Sequence, residues 1–162
     1  MFVSNTSTLV LLAKIGCLNE LIEISPIIEI PSQVKEEILF DKESYYARFI
    51  DKLIKAERLK IVNVNKIDVK KILSEFRLDE GEAAAYVLFD AKKHKAILTD
   101  DGELIKLCKL QDIPFICAMA VIIILLEKKM LTKEKTFEKL EELNKIGRYS
   151  KDIYEYFKKE VK

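Results

Sequence analysis

The sequence predicts an α/β fold. It reads as a single-domain three-layer α/β/α sandwich around a central, mostly parallel sheet, with a C-terminal helical extension. Three observations carry that expectation. Short apolar runs of strand length alternate with stretches of helical periodicity, the pattern that βα units leave in a parallel sheet. The chain has 162 residues, the size of one ordinary domain, and folding at that size buries roughly 70% of the unfolded surface. Apolar residues are 49% and charged residues 34%, a globular balance rather than a disordered one. The α/β domain is expected over residues 1–130, with residues 131–162 as the helical extension packed on it.

Each element follows from local chemistry. Phe2 to Ser4 forms the first strand, and Thr6 or Ser7 is placed to cap the helix after it. Gly16 ends that helix where positive φ is needed. Leu18 to Ile24 makes a short helix, and Ile27 to Ile30 the second strand. Pro31 and Ser32 open the next helix, with proline suited to its first turn. Tyr45 to Glu57 reads as an amphipathic helix, Ile61 to Val64 as a third strand at an edge, and Lys66 to Phe76 as a short polar helix. The clearest helix is Asp79 to Lys92, where Ala83, Ala84 and Ala85 allow close approach to the sheet. Ala96 to Thr99 is a buried strand, Asp101 to Leu110 a helix, and Ile113 to Cys117 the last strand. Helices over Met119–Lys129, Lys133–Ile146 and Lys151–Val161 complete the chain, with Gly147 breaking the last two.

Composition excludes several function classes. Lys and Arg number 28 against 27 Asp and Glu, a net charge of +1, which argues against coating DNA by bulk charge. Cys17, Cys108 and Cys117 form no CxxC pair and His94 is the only histidine, so a zinc site is not expected. Free thiols suit a reducing cytoplasm, and the N-terminus has no basic segment of a secretory signal. The longest apolar run, Ile113 to Leu126, falls short of the ~20 residues that span a bilayer; it reads as core or as a homodimer contact. Lys92, Lys93, His94 and Lys95 read as a solvated basic turn, with phosphate contact the lesser alternative. Tyr45 and Tyr46 read as ordinary helix packing, with base stacking or a dimer face as alternatives.

Ligands in parallel α/β sheets bind at the carboxyl ends of the strands, so the acids there are the candidates. These are Asp100 and Asp101 after AILT, Glu36 and Glu37 after IIEIP, and Asp79, Glu80 and Glu82 at the head of the alanine-rich helix, with Asn5 ending the first strand. Each also has a structural reading: Asp79 and Glu82 have capping-box spacing, Asp100-Asp101-Gly102 suits a turn and cap, and Asn5 suits a turn. Acids gathered from separate segments repel one another, so a fold that collects them calls for a cation. Hard oxygen ligands select Mg²⁺ or Mn²⁺. Such an ion activates water and stabilises phosphodiester charge, which favours metal-assisted phosphodiester hydrolysis. A receiver-like signalling domain, by contrast, needs its phosphoacceptor Asp at a middle strand, and the Asp pair here comes too late in the chain.

The stretches VSNTSTLVLLAKIG, IPSQVKEEIL, LDEGEAAAYVLFDAKKHKAILTDD and KLCKLQDIPFI cover most of residues 1–118. In that order and spacing the chain resembles the PIN-domain family, whose members are mostly metal-dependent ribonucleases and include VapC-type toxins. The Asn-Thr-Ser opening and long helical tail look closer to a prokaryotic PIN-like branch than to standard VapC toxins. The resemblance implies a metal site at Asn5, Glu37, Glu82, Asp100 and Asp101, where Asn5 stands in the place of the family's first Asp, with Ser7 in support. It implies catalytic roles for Glu37, Glu82 and Asp101, Mg²⁺ or Mn²⁺ as cofactor, single-stranded RNA as substrate, an antitoxin partner and a homodimer. The alternative is a PIN fold that has lost catalysis and binds nucleic acid or protein, a reading that Asn5 favours because an amide brings no charge and cannot act as a base.

Overall fold

The structure is a computed structural model, and it describes residues 1–162. The elements in order are β1 (Phe2–Ser4), α1 (Thr6–Lys14), α2 (Leu18–Ile24), β2 (Ile28–Pro31), α3 (Ser32–Leu39), α4 (Tyr45–Lys55), β3 (Leu59–Val62) and α5 (Lys66–Glu75). They continue with α6 (Glu80–Leu88), β4 (Ala96–Leu98), α7 (Gly102–Leu110), β5 (Phe115–Ile116), α8 (Ala118–Glu127), α9 (Lys133–Ile146) and α10 (Lys151–Lys159). The five strands form one sheet in the order β3-β2-β1-β4-β5, and every pairing is parallel. The mostly parallel sheet expected from the pattern is therefore wholly parallel.

Alternation along the strands sorts the core into two layers. Ile28, Ile30 and Leu98 face a cluster of 24 buried residues drawn from α1 to α4, α8 and α9. Val3 and Ile97 face the other way, against Ala85, Leu104 and Cys108 of α6 and α7. Ala85 makes the close approach to the sheet that the alanine run promised, while Ala83 and Ala84 pack instead against Val69 of α5. The apolar α8 is core: Ala118, Met119, Val121, Ile122, Ile123 and Leu125 are all buried. Helices α9 and α10 fold back on α8, and Leu140 and Leu143 join the large cluster. No helix is long and apolar enough to cross a membrane.

Several boundaries differ from the sequence expectation for physical reasons. Thr6 and Ser7 lie inside α1; the cap position is Asn5, whose side chain makes no cap bond. Pro31 ends β2 and precedes α3 instead of opening it. Strand β3 begins two residues early, at the sheet edge, because the turn at Glu57 (φ 59°) lets Leu59 pair with Ile28. Helix α6 ends at Leu88, with Phe89 extended (φ −62°, ψ 128°). Strand β5 is only Phe115–Ile116, since Pro114 has no N–H to give the ladder and Cys117 has become the cap residue of α8. Tyr45 is exposed, its ring edge-on to Tyr46, so only Tyr46 packs on the core.

The largest departure is the turn read as solvated. His94 is only 4% exposed. Its Nε2 lies 2.7 Å from Oε1 of Glu29, a residue of β2 with no exposure at all. The Asp90 backbone N–H donates to His94 Nδ1 at 3.0 Å, so Nε2 carries the proton that goes to Glu29. Lys93 Nζ completes the group, 3.0 Å from Glu29 Oε2. Burial alone would raise the Glu29 pKa, but the hydrogen bonds from His94 and Lys93 outweigh it and hold the carboxyl below its usual value. This cluster lies just before β4, at the amino end of the strands, away from the cleft described next.

Candidate functional site

The central strand β1 and its neighbour β4 end side by side, with Ser4 paired to Leu98 and the Asn5 N–H bonded to the Leu98 carbonyl at 3.1 Å. Beyond these ends lies a cleft of about 580 Å³, walled by Asn5, Glu37, Glu82, Asp100, Asp101 and Arg148 among others. Three helices begin at its edge: α1 after Asn5, α6 after Asp79 and α7 after Asp101. All five residues for which the resemblance implies a metal site line one cleft, and so does Ser7.

Some of these residues meet the capping expectations. Asp79 and Glu82 form a complete capping box: Glu82 N–H donates to Asp79 Oδ1 (2.8 Å) and Asp79 N–H donates to Glu82 Oε2 (2.9 Å). Asp101 Oδ2 accepts the Leu104 N–H at 2.8 Å and caps α7. Two caps on separate helices turn their carboxyls toward each other. Burial, with the charges of Asp79 and Asp101 adding to it, pushes the Glu82 pKa up to about 8. Glu82 therefore tends to hold its proton near neutrality.

Asn5 is buried, and its Oδ1 accepts a 2.9 Å bond from Ser7 Oγ. Ser7 Oγ in turn accepts the Asp100 N–H at 2.9 Å, so Ser7 links the end of β1 to the end of β4. Glu37 reaches in from α3, where its Oε2 accepts the Thr6 hydroxyl at 2.9 Å. Burial raises the Glu37 pKa, the Thr6 bond opposes that, and Asp79 adds to the rise. Gly81 makes room for it, since a Cβ there would stand 2.8 Å from Glu37 Oε2. Glu36 and Glu80 are exposed, and neither lines this cleft.

Asp100 has different surroundings. Its Oδ1 accepts from the Thr8 hydroxyl at 2.5 Å and from the Ala118 N–H at 2.9 Å. Its Oδ2 accepts from the Tyr149 hydroxyl. Burial raises its pKa against the pull of these bonds. Both oxygens are thus engaged by donors of the chain itself. Tyr149, Arg148 and Thr8 had no signal in the sequence reading, where Gly147 registered only as a helix break.

The donors of this cleft are all oxygen, the chemistry that hard divalent cations take. No three His, Cys, Asp or Glu side chains are gathered as a ready cage. Mg²⁺ does not need one, since it keeps several waters and takes only one or two carboxylates directly. The Glu82–Asp101 pair, where neighbouring acids hold a proton on one of them, fits that requirement. The three thiols offer nothing comparable: all are free, and burial pushes each pKa up to about 11.

A family model described as a PIN domain (DUF3368) matches residues 1–162. No curated protein matches the chain. PIN domains are typically nucleases and generally use divalent metal ions. Because the match takes in the strand-end cleft and the C-terminal helices alike, the chain belongs to the PIN-domain family.

Proposed function

We propose that this chain is a metal-dependent ribonuclease that hydrolyses phosphodiester bonds of single-stranded RNA with Mg²⁺ or Mn²⁺. The observation that carries the reading is the Glu82–Asp101 pair at the carboxyl end of β4, where burial and like charge keep Glu82 pushed up to about 8. Glu82 and Asp101 would hold the ion, with the Asn5 amide oxygen as a neutral third donor and Glu37 available to one of the waters it retains. When bound, the ion supplies a coordinated water of lowered pKa and offsets charge on the phosphodiester. Ser7 holds the Asn5 oxygen in place through its hydroxyl and leaves that oxygen a second lone pair. Thr6 steadies Glu37 in the same way. Asp100, its oxygens already engaged, braces the cleft wall. A single strand suits the rim, where Phe40 is 92% exposed and offers a ring to an unstacked base. The same reading puts the protein in the cytoplasm as a homodimer, with a small antitoxin protein covering the cleft.

A second reading, a PIN fold that binds without cutting, rests on Asn5 alone. Titration of Mn²⁺ by calorimetry separates the two before any substrate is known. The native chain is expected to bind one ion at micromolar to low-millimolar affinity, and Glu82→Gln/Asp101→Asn to bind none while remaining folded. Failure of the native chain to bind would leave the carboxylates as helix caps and favour the binding module.

Asn5→Asp then measures what the amide costs. Aspartate keeps an acceptor for the Ser7 hydroxyl and adds a charge, so Mn²⁺ should bind about tenfold tighter, a gain of about 1.4 kcal/mol. Cleavage of an RNA pool by this variant but not by the native chain would identify a degraded enzyme. Cleavage by both, abolished in Asp101→Asn, would exclude the binding-only reading.

A further inference from the structure

The turn between α9 and α10 brings one basic side chain to an acidic place. The cleft wall includes Glu37, Asp41, Asp79, Glu82, Asp100 and Asp101, and Arg148 is the only Lys, Arg or His among its lining residues. Arg148 is exposed and forms no ion pair with any of these carboxylates. Its guanidinium is free for a ligand.

The turn that carries it is built, not incidental. Tyr149 donates its hydroxyl to Asp100 Oδ2, while Asp100 Oδ1 holds Thr8 of α1 and the first N–H of α8. One carboxylate therefore ties the turn to α1, which lines the cleft, and to the start of α8. Gly147 lets the Tyr149 ring fold back, since a Cβ there would stand 2.3 Å from Tyr149 Cε2 and 3.0 Å from the Leu143 carbonyl. The residues on either side of Arg148 thus fix where it emerges.

We propose that Arg148 is the phosphate clamp of the cleft: its guanidinium binds the non-bridging oxygens of an RNA phosphate beside the acidic pair, and the Tyr149–Asp100 bond positions it there. This rests on the nucleic-acid reading above. An acidic cleft repels a phosphodiester, and a planar guanidinium that matches two phosphate oxygens offsets that repulsion where a strand must pass. Arg148 touches substrate; Tyr149 and Asp100 act through it.

The test is binding of a short fluorescent oligouridylate, followed by anisotropy across a salt series, with Ca²⁺ present and again in EDTA. Arg148→Ala is expected to weaken binding roughly tenfold and to lower the slope of log K against log salt by about 0.7, the share of one single-strand phosphate. Arg148→Lys should keep the slope and recover part of the affinity. Tyr149→Phe should weaken binding, and adding it to Arg148→Ala should cost nothing more, since a brace has no effect once its cargo is gone. Native-like affinity and slope in Arg148→Ala, with the native chain binding well, would overturn the clamp and leave the nuclease reading intact. Additive losses from Tyr149→Phe and Arg148→Ala would overturn the brace. No binding by the native chain in either buffer would overturn both the clamp and the ribonuclease.

Discussion

Glu82→Gln is expected to abolish Mn²⁺ binding and metal-dependent cleavage while making the metal-free protein more heat-stable at alkaline pH. The two effects have one cause. Glutamine keeps a carbonyl oxygen for the Asp79 N–H, so the capping box that starts α6 survives. It removes the charge that Asp79 and Asp101 oppose. Burial and those two neighbours push the Glu82 pKa from its ordinary 4.5 up to about 8. Between those values the folded chain binds more protons than the unfolded one, so stability falls as pH rises through the window. The native and variant melting curves should therefore converge near pH 4, where Glu82 is protonated, and separate toward pH 9. Glu82 is half-buried, so solvent screening limits the gain to about 1 kcal/mol, or about 2–4 °C in a chain of this size. Thermal scans at the two pH values, with and without Mn²⁺, check it. A variant less stable than native at both would mean that Glu82 is there for the helix, not for an ion.

That coupling explains why the acidic site was legible in the sequence. Asp79, Glu82 and Asp101 obey local rules of helix starts, and local rules can be read from spacing. Their caps and their cleft are two consequences of one placement, because helices that connect parallel strands run back against them and so begin at the strands' carboxyl ends. The parallel sheet followed as readily from the alternation of apolar runs with helical periodicity. What escaped was set by packing between distant segments. Tyr149 meets Asp100 across 49 residues of chain, and nothing near Gly147 announces that partner. Strand β5 was shortened by Pro114 and the cap at Cys117, a competition that apolar pattern alone does not resolve.

Glu29 was the hardest case of all, and it yields the second large effect. The sequence places Glu29 in the second strand and gives it no partner. Yet Val3 and Glu29 are register partners, and Val3 is core, so Glu29 must point into the α5–α7 layer. An unpaired charge there costs several kcal/mol, and His94 and Lys93 together prevent that. His94→Leu should therefore destabilise the fold by about 3 kcal/mol or more, since it leaves Glu29 with Lys93 alone and the Asp90 N–H without its acceptor. The pH dependence supplies a sharper sign. In the native chain the Glu29 pKa lies below its ordinary value of 4.5. Its contribution is thus present above pH 4.5 and lost as pH falls through the lower, folded value. Without His94 the burial that raises the pKa meets less opposition, so Glu29 prefers its proton. The folded variant then binds more protons than the unfolded chain, and acidification from pH 7 toward 5 should stabilise it relative to native. Urea melts at pH 5 and pH 7 give both quantities. A loss that is equal at the two pH values would point to packing of the imidazole, and not to the charge beneath it.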